Sequence, residues 1–255
     1  MNPLDEFNRQ VKANIKKLGK DASLREISTN WIRDTARYKY SYNFRWMGRP
    51  VIQFPQDMIA MQELIWTVRP DLIIETGIAH GGSLVFYASM LALLDLCERS
   101  EKETGSPERR VLGIDIDIRE HNRQAITSHP MASYIQIIEG SSVAHDTVEK
   151  VRNIAGGHER IMVALDSNHT HEHVLEELRQ YAELTSPGSY CVVFDTVIED
   201  MPADMFPDRP WGPGNNPGTA VGEFLRANDN FEIDREISDK LLITVAPHGY
   251  LRRVA

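Results

Sequence analysis

The chain has 255 residues, of which 42% are hydrophobic and 25% charged, and this suits one globular α/β domain with an N-terminal extension. A net charge of −9 argues against nucleic acid or an anionic membrane as a partner. Two cysteines, Cys97 and Cys191, are too few for a disulfide framework, and we expect buried, reduced thiols. No signal peptide and no apolar run of about 20 residues is visible, which predicts a cytoplasmic protein without a membrane span.

The first 57 residues differ in character from the rest of the chain. Residues 1–40 are polar with scattered apolar positions and predict helices, whereas residues 41–57 carry aromatic residues, two prolines and a glycine and predict a connecting loop. We therefore predict a helical extension with a substrate-side loop over residues 1–57, followed by the main domain over residues 58–255.

From residue 58 onward, helical and strand-like patterns alternate. A polar break at 99–110 separates two of these elements. The predicted strands are 71–76, 111–117, 134–140, 161–166, 189–196, 230–234 and 241–247, and the predicted helices are 58–68, 83–98, 119–128, 142–155, 169–184 and 219–228. Short apolar runs between helices are typical of a parallel, doubly wound sheet. We predict an α/β, Rossmann-like fold with a seven-stranded, mostly parallel sheet and helices on both faces.

Ligands of such sheets bind beyond the carboxyl ends of the strands. Five predicted strands end at Glu75, Asp115, Ser141, Asp166 and Asp195, and most of these residues are acidic or follow an acidic one. The sequence therefore predicts a binding site with strong negative charge.

A glycine-rich loop follows the strand that ends near Glu75. The residues of this predicted cofactor loop are Gly77, His80, Gly81, Gly82 and Ser83. The spacing is not that of the dinucleotide motif, and a carboxylate at Glu75 would repel a pyrophosphate. S-adenosylmethionine (SAM) carries a sulfonium and an ammonium group, so an acidic residue there favours SAM. The alternative is that Glu75 is a cap and the glycines are only turns.

The next two strand ends complete the predicted cofactor site. Asp115, with Asp117 as the alternate, can accept hydrogen bonds from ribose hydroxyl groups. Ser141 and Ser142 would lie beside the adenine, although either serine is equally typical of a helix N-cap.

Two further carboxylates, Asp166 and Asp195, follow neighbouring strands. Adjacent strand ends lie about 5 Å apart, so both carboxylates can face one cavity. Their mutual repulsion favours a divalent cation such as Mg²⁺, which would bind a substrate hydroxyl group and lower its pKa. The alternative is a helix cap at residues 166–168.

Histidines follow Asp166 directly. We predict that His169 is the general base, which makes Asp166 and His169 the catalytic pair. His169 and His173 share a helix face while His171 points elsewhere, so a zinc site is a weaker alternative, and solvated histidines are another.

The long loop at 197–217 is rich in Pro, Gly, Asp and Trp, and loops of this length are usually functional or disordered. We predict a lid that contacts the substrate, with residues 44–48 as the opposite wall. An oligomer contact is the alternative.

In order along the chain, several motifs together resemble the cephalosporin hydroxylase/rhamnosyl O-methyltransferase family over roughly residues 40–255. The motifs are 53–57, 69–77, 80–83, 113–117, 166–169 and 249–251. The resemblance implies a class I SAM-dependent methyltransferase domain, a Mg²⁺ site and a homo-oligomer. Members act on sugars of glycolipids or polysaccharides, or in cephamycin methoxylation.

The metal site that the family implies has one carboxylate after the fourth strand and an acidic pair after the fifth. Asp166 and Asp195 match this pattern, but Phe194 occupies the place of one acidic ligand. Glu199 or Asp200 is a candidate replacement.

These observations predict a SAM-dependent O-methyltransferase that acts, with metal assistance, on a sugar hydroxyl of a glycolipid, polysaccharide or glycosylated natural product. Two alternatives stay open: an NAD-linked oxidoreductase, and a non-catalytic partner protein, which the missing acidic residue at Phe194 supports.

Overall fold

A computed structural model describes residues 2–98 and 107–255. The strands are β1 Phe44–Trp46, β2 Arg49–Val51, β3 Leu72–Thr76, β4 Arg110–Asp115, β5 Ile135–Glu139, β6 Ile161–Leu165, β7 Tyr190–Val193, β8 Phe231–Ile233 and β9 Tyr250–Arg253. The helices are α1 Pro3–Leu18, α2 Ala22–Ala36, α3 Pro55–Val68, α4 Gly82–Glu98, α5 Glu120–Thr127, α6 His145–Ala155, α7 His171–Tyr181, α8 Pro217–Ala227 and α9 Arg235–Leu241. Most of the predicted polar break at 99–110 lies outside the described residues.

The main sheet has seven strands in the order β5-β4-β3-β6-β7-β9-β8. The strands from β5 to β7 are parallel, and β9 runs antiparallel to both of its neighbours. This arrangement confirms the predicted fold class. From β3 the chain adds β4 and β5 on one side of β3 and then adds β6 and β7 on the other side. The direction in which strands are added to the sheet therefore reverses beside β3.

Apolar side chains cover both faces of the sheet. Along β3, Ile73 packs into one cluster, whereas Leu72 and Ile74 pack into the cluster on the opposite face. Every residue of β3 and β6 is buried, as expected for central parallel strands beneath helices on both sides.

The expectation of a simple loop at 41–57 is wrong, because part of it forms the antiparallel hairpin β1–β2. Met47 and Gly48 make the turn with positive φ angles of 44° and 87°. The Trp46 indole N–H donates to the Ser89 hydroxyl at 2.9 Å, and the ring packs edge-on against Phe86. This packing against α4 stabilises two strands that are too short to be evident from their pattern.

The strand predicted at 241–247 is also wrong. Leu241 ends α9, and the following segment is fixed by the buried Asp57, which accepts hydrogen bonds from the Thr244 hydroxyl and from the Val245 N–H at 3.0 Å. The final strand comes later, at Tyr250–Arg253, and inserts between β7 and β8.

The two cysteines differ in exposure. Cys191 is buried in β7 as predicted, but Cys97 near the end of α4 is exposed, so that expectation was wrong. Over the part of the chain that the structure describes, none of the helices combines the length and apolar character needed to cross a lipid bilayer.

Gly77 connects β3 to the glycine-rich loop with a φ angle of +83°. A Cβ atom there would lie 2.0 Å from the carbonyl oxygen of Asp166. Glycine is therefore required both for the backbone angle and for the close approach of β3 to β6.

We predict that Gly77→Ala lowers the free energy of unfolding by about 3 kcal/mol or more, through a strained φ angle and a backbone overlap. Gly188→Ala is the matched control, because Gly188 has a φ angle of +80° and open space around it. The control should lose only about 1 kcal/mol in urea unfolding. Equal losses in the two variants would show that the contact with Asp166 is unimportant.

Candidate active site

Two adjoining cavities open at the carboxyl ends of the central strands, at the point where the strand order reverses. The larger has a volume of about 570 Å³ and the smaller about 280 Å³. Gly77, Ser167 and Trp211 line both. Reversal points of this kind are the usual ligand sites of parallel α/β sheets.

Glu75 is fully buried at the end of β3, directly beneath the glycine-rich loop. Its Oε2 accepts a hydrogen bond from the Ser83 hydroxyl at 2.7 Å, and Tyr87 is a second partner. Burial raises the pKa of this carboxyl to about 8. Oε1 lacks a hydrogen-bond partner among the described residues. Glu75 is therefore no helix cap, and its predicted role beside the methionine part of SAM stays a prediction.

Asp115 fixes the shape of the glycine-rich loop. Its Oδ2 accepts hydrogen bonds from the backbone N–H groups of Ile78 at 3.0 Å and Ala79 at 3.3 Å, and its Oδ1 accepts from the Asp117 N–H at 3.1 Å. The side chain also lines the smaller cavity. Sequence reasoning assigned Asp115 to the ribose and missed this second role.

The rest of the glycine-rich loop is fixed by the hairpin. The carbonyl oxygen of His80 accepts hydrogen bonds from the Arg49 guanidinium at 2.5 and 3.0 Å. A Cβ atom on Gly82 would lie 2.0 Å from the Pro50 carbonyl oxygen, and Gly81 has a φ angle of +76°. Gly82 therefore allows close packing against the hairpin and Gly81 against Ile126 of α5, so the structure assigns both glycines a packing function as well.

Ser141 and Ser142 line the smaller cavity, as expected for the adenine side. The N-cap of α6 is Ala144, so the alternative of a serine cap is wrong. The Ser142 hydroxyl lies 3.1 Å from Nε2 of His173, a residue that the sequence pattern did not place in this pocket.

Three potential metal ligands converge in the larger cavity: Asp166, His169 and Asp195 each offer one ligand atom, and these atoms lie within 4.8 Å of one another. Burial and the carboxylates of Asp195 and Glu75 raise the pKa of Asp166 well above its usual value, while the Gln53 amide donates to its Oδ2 at 3.1 Å. Asp195 adopts a left-handed backbone conformation with φ 56°. The two carboxylates predicted to hold a metal thus share one site with the predicted base.

The proposed replacements for the missing acidic ligand do not join this cluster. Glu199 instead accepts hydrogen bonds from the Gly214 N–H at 2.8 Å and the Asn216 amide at 2.5 Å. Asp200 is exposed and lies near His248. Phe194 is buried in the apolar core. That hypothesis is wrong, and His169 occupies the third position.

The three neighbouring histidines point to three different places, which excludes the zinc interpretation. His169 Nε2 lies 3.5 Å from Asp195 Oδ2, whereas His171 contacts Thr219 at 2.8 Å and Glu223 at 3.2 Å between α7 and α8. His173 belongs to the smaller cavity.

The loop at 197–217 covers one side of the larger cavity. Its Trp211 ring packs edge-on against His169 with ring centroids 4.9 Å apart. The opposite wall comes from residues 39–42 and 50–54, so the wall predicted at 44–48 is wrong. Of residues 44–48, Trp46 instead packs against Phe86 of α4.

Sequence reasoning missed three buried groups around the site. These are Gln53, Asp57 and Tyr87. Asp57 has a pKa raised to about 6 by burial, and its Oδ1 accepts a hydrogen bond from the Tyr250 hydroxyl at 2.7 Å. For Asp57, the only local sequence signal was an acidic residue in the first turn of an apolar helix.

The rhamnosyl O-methyltransferase/CmcI family model matches residues 38–254. The chain belongs to this family. Membership confirms the family that the motifs predicted, and with it the enzyme class of a SAM-dependent O-methyltransferase.

Among relatives, a rhamnosyl O-methyltransferase of Mycobacterium tuberculosis (strain ATCC 25618 / H37Rv) is 28% identical over 208 residues, which are 82% of this chain and 77% of that protein. The one from Mycobacterium leprae (strain TN) is 28% identical over 210 residues, 82% of each chain.

Solved structures show the same fold. A structure of CmcI with Mg and SAM has a TM-score of 0.56 and 19% identity, and covers 84% of this chain and 78% of that chain. The O-methyltransferase TomG from Streptomyces achromogenes, in complex with SAM, has a TM-score of 0.52 and 16% identity. The match covers 92% of this chain and 91% of that chain. The predicted homo-oligomer, cytoplasmic location and boundary at residue 57 stay predictions.

Glu75 gives a testable pH dependence. Its pKa is about 8 in the folded chain against 4.5 as the ordinary value, so the stabilisation is complete below the ordinary value and is lost as pH rises through 8. Between about pH 5 and about pH 9, we expect the free energy of unfolding to fall on the order of 2–4 kcal/mol more in the wild type than in Glu75→Gln.

The measurement is urea unfolding of both proteins across that range. Groups far from position 75 titrate equally in both proteins, so the difference reports Glu75 together with its effect on the neighbouring Asp166 carboxyl. Parallel curves for the two proteins would contradict a protonated, buried Glu75.

Proposed function

We propose that this protein transfers a methyl group from SAM to a hydroxyl group of a sugar, with assistance from a divalent metal ion. One observation carries the proposal: the cavity that contains Asp166, His169 and Asp195 adjoins the smaller cavity through shared lining residues. A cofactor and an acceptor bound in the two cavities would meet beside Gly77.

The residues around the smaller cavity suit SAM. Gly77 lines both cavities without a side chain, so a bound cofactor can approach the backbone closely there. Asp115 and Ser141 offer polar atoms on the nucleoside side. The glycine spacing of the loop after β3 differs from that of the dinucleotide motif, so NAD fits less well.

The donor set in the larger cavity suits a hard divalent cation. Two carboxylates and one imidazole lie within reach of a single ion. In the relatives' names, the acceptor is a rhamnosyl group, which supports a sugar as the acceptor here. Mg²⁺ is the ion named with the CmcI structure and is our choice for this chain.

When bound, SAM supplies an activated methyl group and the cation lowers the pKa of the acceptor hydroxyl. The chain supplies position and proton transfer. Asp166 and Asp195 fix the acceptor end of the site, and Gln53 orients Asp166. His169 Nε2 takes the hydroxyl proton, and Asp195 Oδ2 at 3.5 Å stabilises the resulting imidazolium. Trp211 covers His169 and excludes water.

The alternative of a non-catalytic partner depended on the missing acid at Phe194. His169 fills the third position of the cluster, so that absence gives the alternative little support.

We predict that Asp166→Asn lowers methyl transfer from labelled SAM to a glycan panel by about 100-fold or more, because a ligand and orienting group are lost. Binding of S-adenosylhomocysteine (SAH), measured by calorimetry, should stay within about twofold of the wild type. Asp229→Asn, at an exposed position before β8, is the control and should behave as the wild type. Retained turnover in Asp166→Asn would refute the metal site, and failure of the wild type to bind SAH would refute the whole proposal.

His169→Gln separates a base from a ligand. As a base, its loss should slow transfer by about 100-fold or more while Mg²⁺ affinity of the SAH complex stays within about twofold. A loss of Mg²⁺ affinity of about tenfold or more would instead identify His169 as a ligand. The exposed His145→Gln is the matched control.

A further inference from the structure

The outer part of the larger cavity contains two cationic side chains that the proposed reaction does not use. Lys39 lies between α2 and the hairpin, and Arg209 lies in the loop that covers the cavity; both line it. Within residues 2–98 and 107–255, neither side chain has a carboxylate within the 4.0 Å of an ion pair. Their charges are therefore available to a ligand.

Arg209 lies close to the reacting centre. Its guanidinium stacks over the Trp211 ring at 5.1 Å, and that ring packs against His169 at 4.9 Å. A single aromatic ring thus separates the guanidinium from the base and metal cluster. A sugar with its hydroxyl at the cluster can therefore extend along the Trp211 ring and place another substituent beside Arg209.

Lys39 approaches from the opposite wall. Its backbone is left-handed, with φ 51° and ψ 49°, although it is not a glycine. This turn places the next residue, Tyr40, edge-on against Phe54 at 5.7 Å, and leaves Lys39 on the cavity. Left-handed conformations of bulky residues cost about 1 kcal/mol or more and are typical of ligand-binding positions.

An apolar cluster fixes the two walls to each other. It contains Ile32, Phe54, Val197 and Met201, with Tyr40 and Phe206 packed against it. The segments that carry Lys39 and Arg209 are therefore packed together across the cavity, and both cations line the space that one ligand would occupy.

We propose that the acceptor is an anionic sugar, with a carboxylate or phosphoryl group that Lys39 and Arg209 bind while its hydroxyl lies at Asp166 and Asp195. The proposal rests on the proposed function and adds the substrate class. A neutral sugar would need no cation, and the chain's net charge of −9 would on average repel an anion. Two cations without acidic partners in this cavity reverse that repulsion locally. Arginine suits both anions because its planar fork matches carboxylate and phosphate geometry.

The experiment uses the wild-type protein with SAM and Mg²⁺ and four probes: UDP-glucuronic acid, UDP-glucose, a glucuronate-containing oligosaccharide and its neutral glucose counterpart. Binding is measured by calorimetry with SAH, and transfer with labelled SAM. We expect at least one charged probe to bind about tenfold or more tightly than the neutral oligosaccharide. Preference for both nucleotide sugars identifies a phosphoryl group, and preference for the two glucuronates identifies a carboxylate.

Arg209→Gln and Lys39→Gln should each weaken binding of the charged probe by about tenfold and leave binding of the neutral probe and of SAH unchanged. Arg226→Gln and Lys150→Gln, exposed cations on α8 and α6, are the matched controls. Added salt should weaken binding of the charged probe to the wild-type protein. If the neutral sugar binds as tightly, or if protein that binds SAH takes no charged probe, the anionic acceptor is refuted while the methyltransferase proposal stands.

Discussion

Carboxyl groups concentrated at the ends of the central strands govern this molecule. Glu75, Asp166 and Asp195 end three strands that meet where the sheet order reverses, and two of these groups have raised pKa values because burial penalises their charged forms. The fold offsets part of this cost with polar neighbours, since Ser83 donates to Glu75 and Gln53 donates to Asp166. The remainder favours cations, which is the property that a sulfonium cofactor and a divalent metal share.

A fourth carboxylate supports the site from behind. Asp57, buried in the first turn of α3, accepts hydrogen bonds from Thr244, Val245 and Tyr250. It thereby connects α3 to the chain segment that precedes the last inserted strand. Val245 lines the larger cavity, so this polar anchor determines part of the acceptor wall. A substitution at Asp57 would therefore act on the cavity through structure, although it touches neither proposed ligand.

Phe194 marks the way in which this chain departs from its family's expected metal site. Its ring packs in the apolar core, where a carboxylate would be costly. Beside the carboxylates of Asp166 and Asp195 the chain places the imidazole of His169 instead of a third acid. The same histidine is the best placed base, so its side chain lies next to both the proposed metal site and the proposed path of the hydroxyl proton.

Strand and helix periodicity, together with the acidic strand ends, determined the fold class and the residues at the floor of the site, and the ordered motifs indicated the family. Local patterns suffice for these because a parallel sheet places all its strand ends at one edge. Only the tertiary structure decided which groups meet across long sequence distances. Gln53 reaching Asp166, Asp57 anchoring residues 244–250, and Lys39 facing the cavity that Arg209 also lines all depend on packing between segments, which periodicity does not encode. The hairpin at 44–51 and the late final strand escaped sequence reasoning for the same reason, since pairing and a buried carboxylate stabilise them.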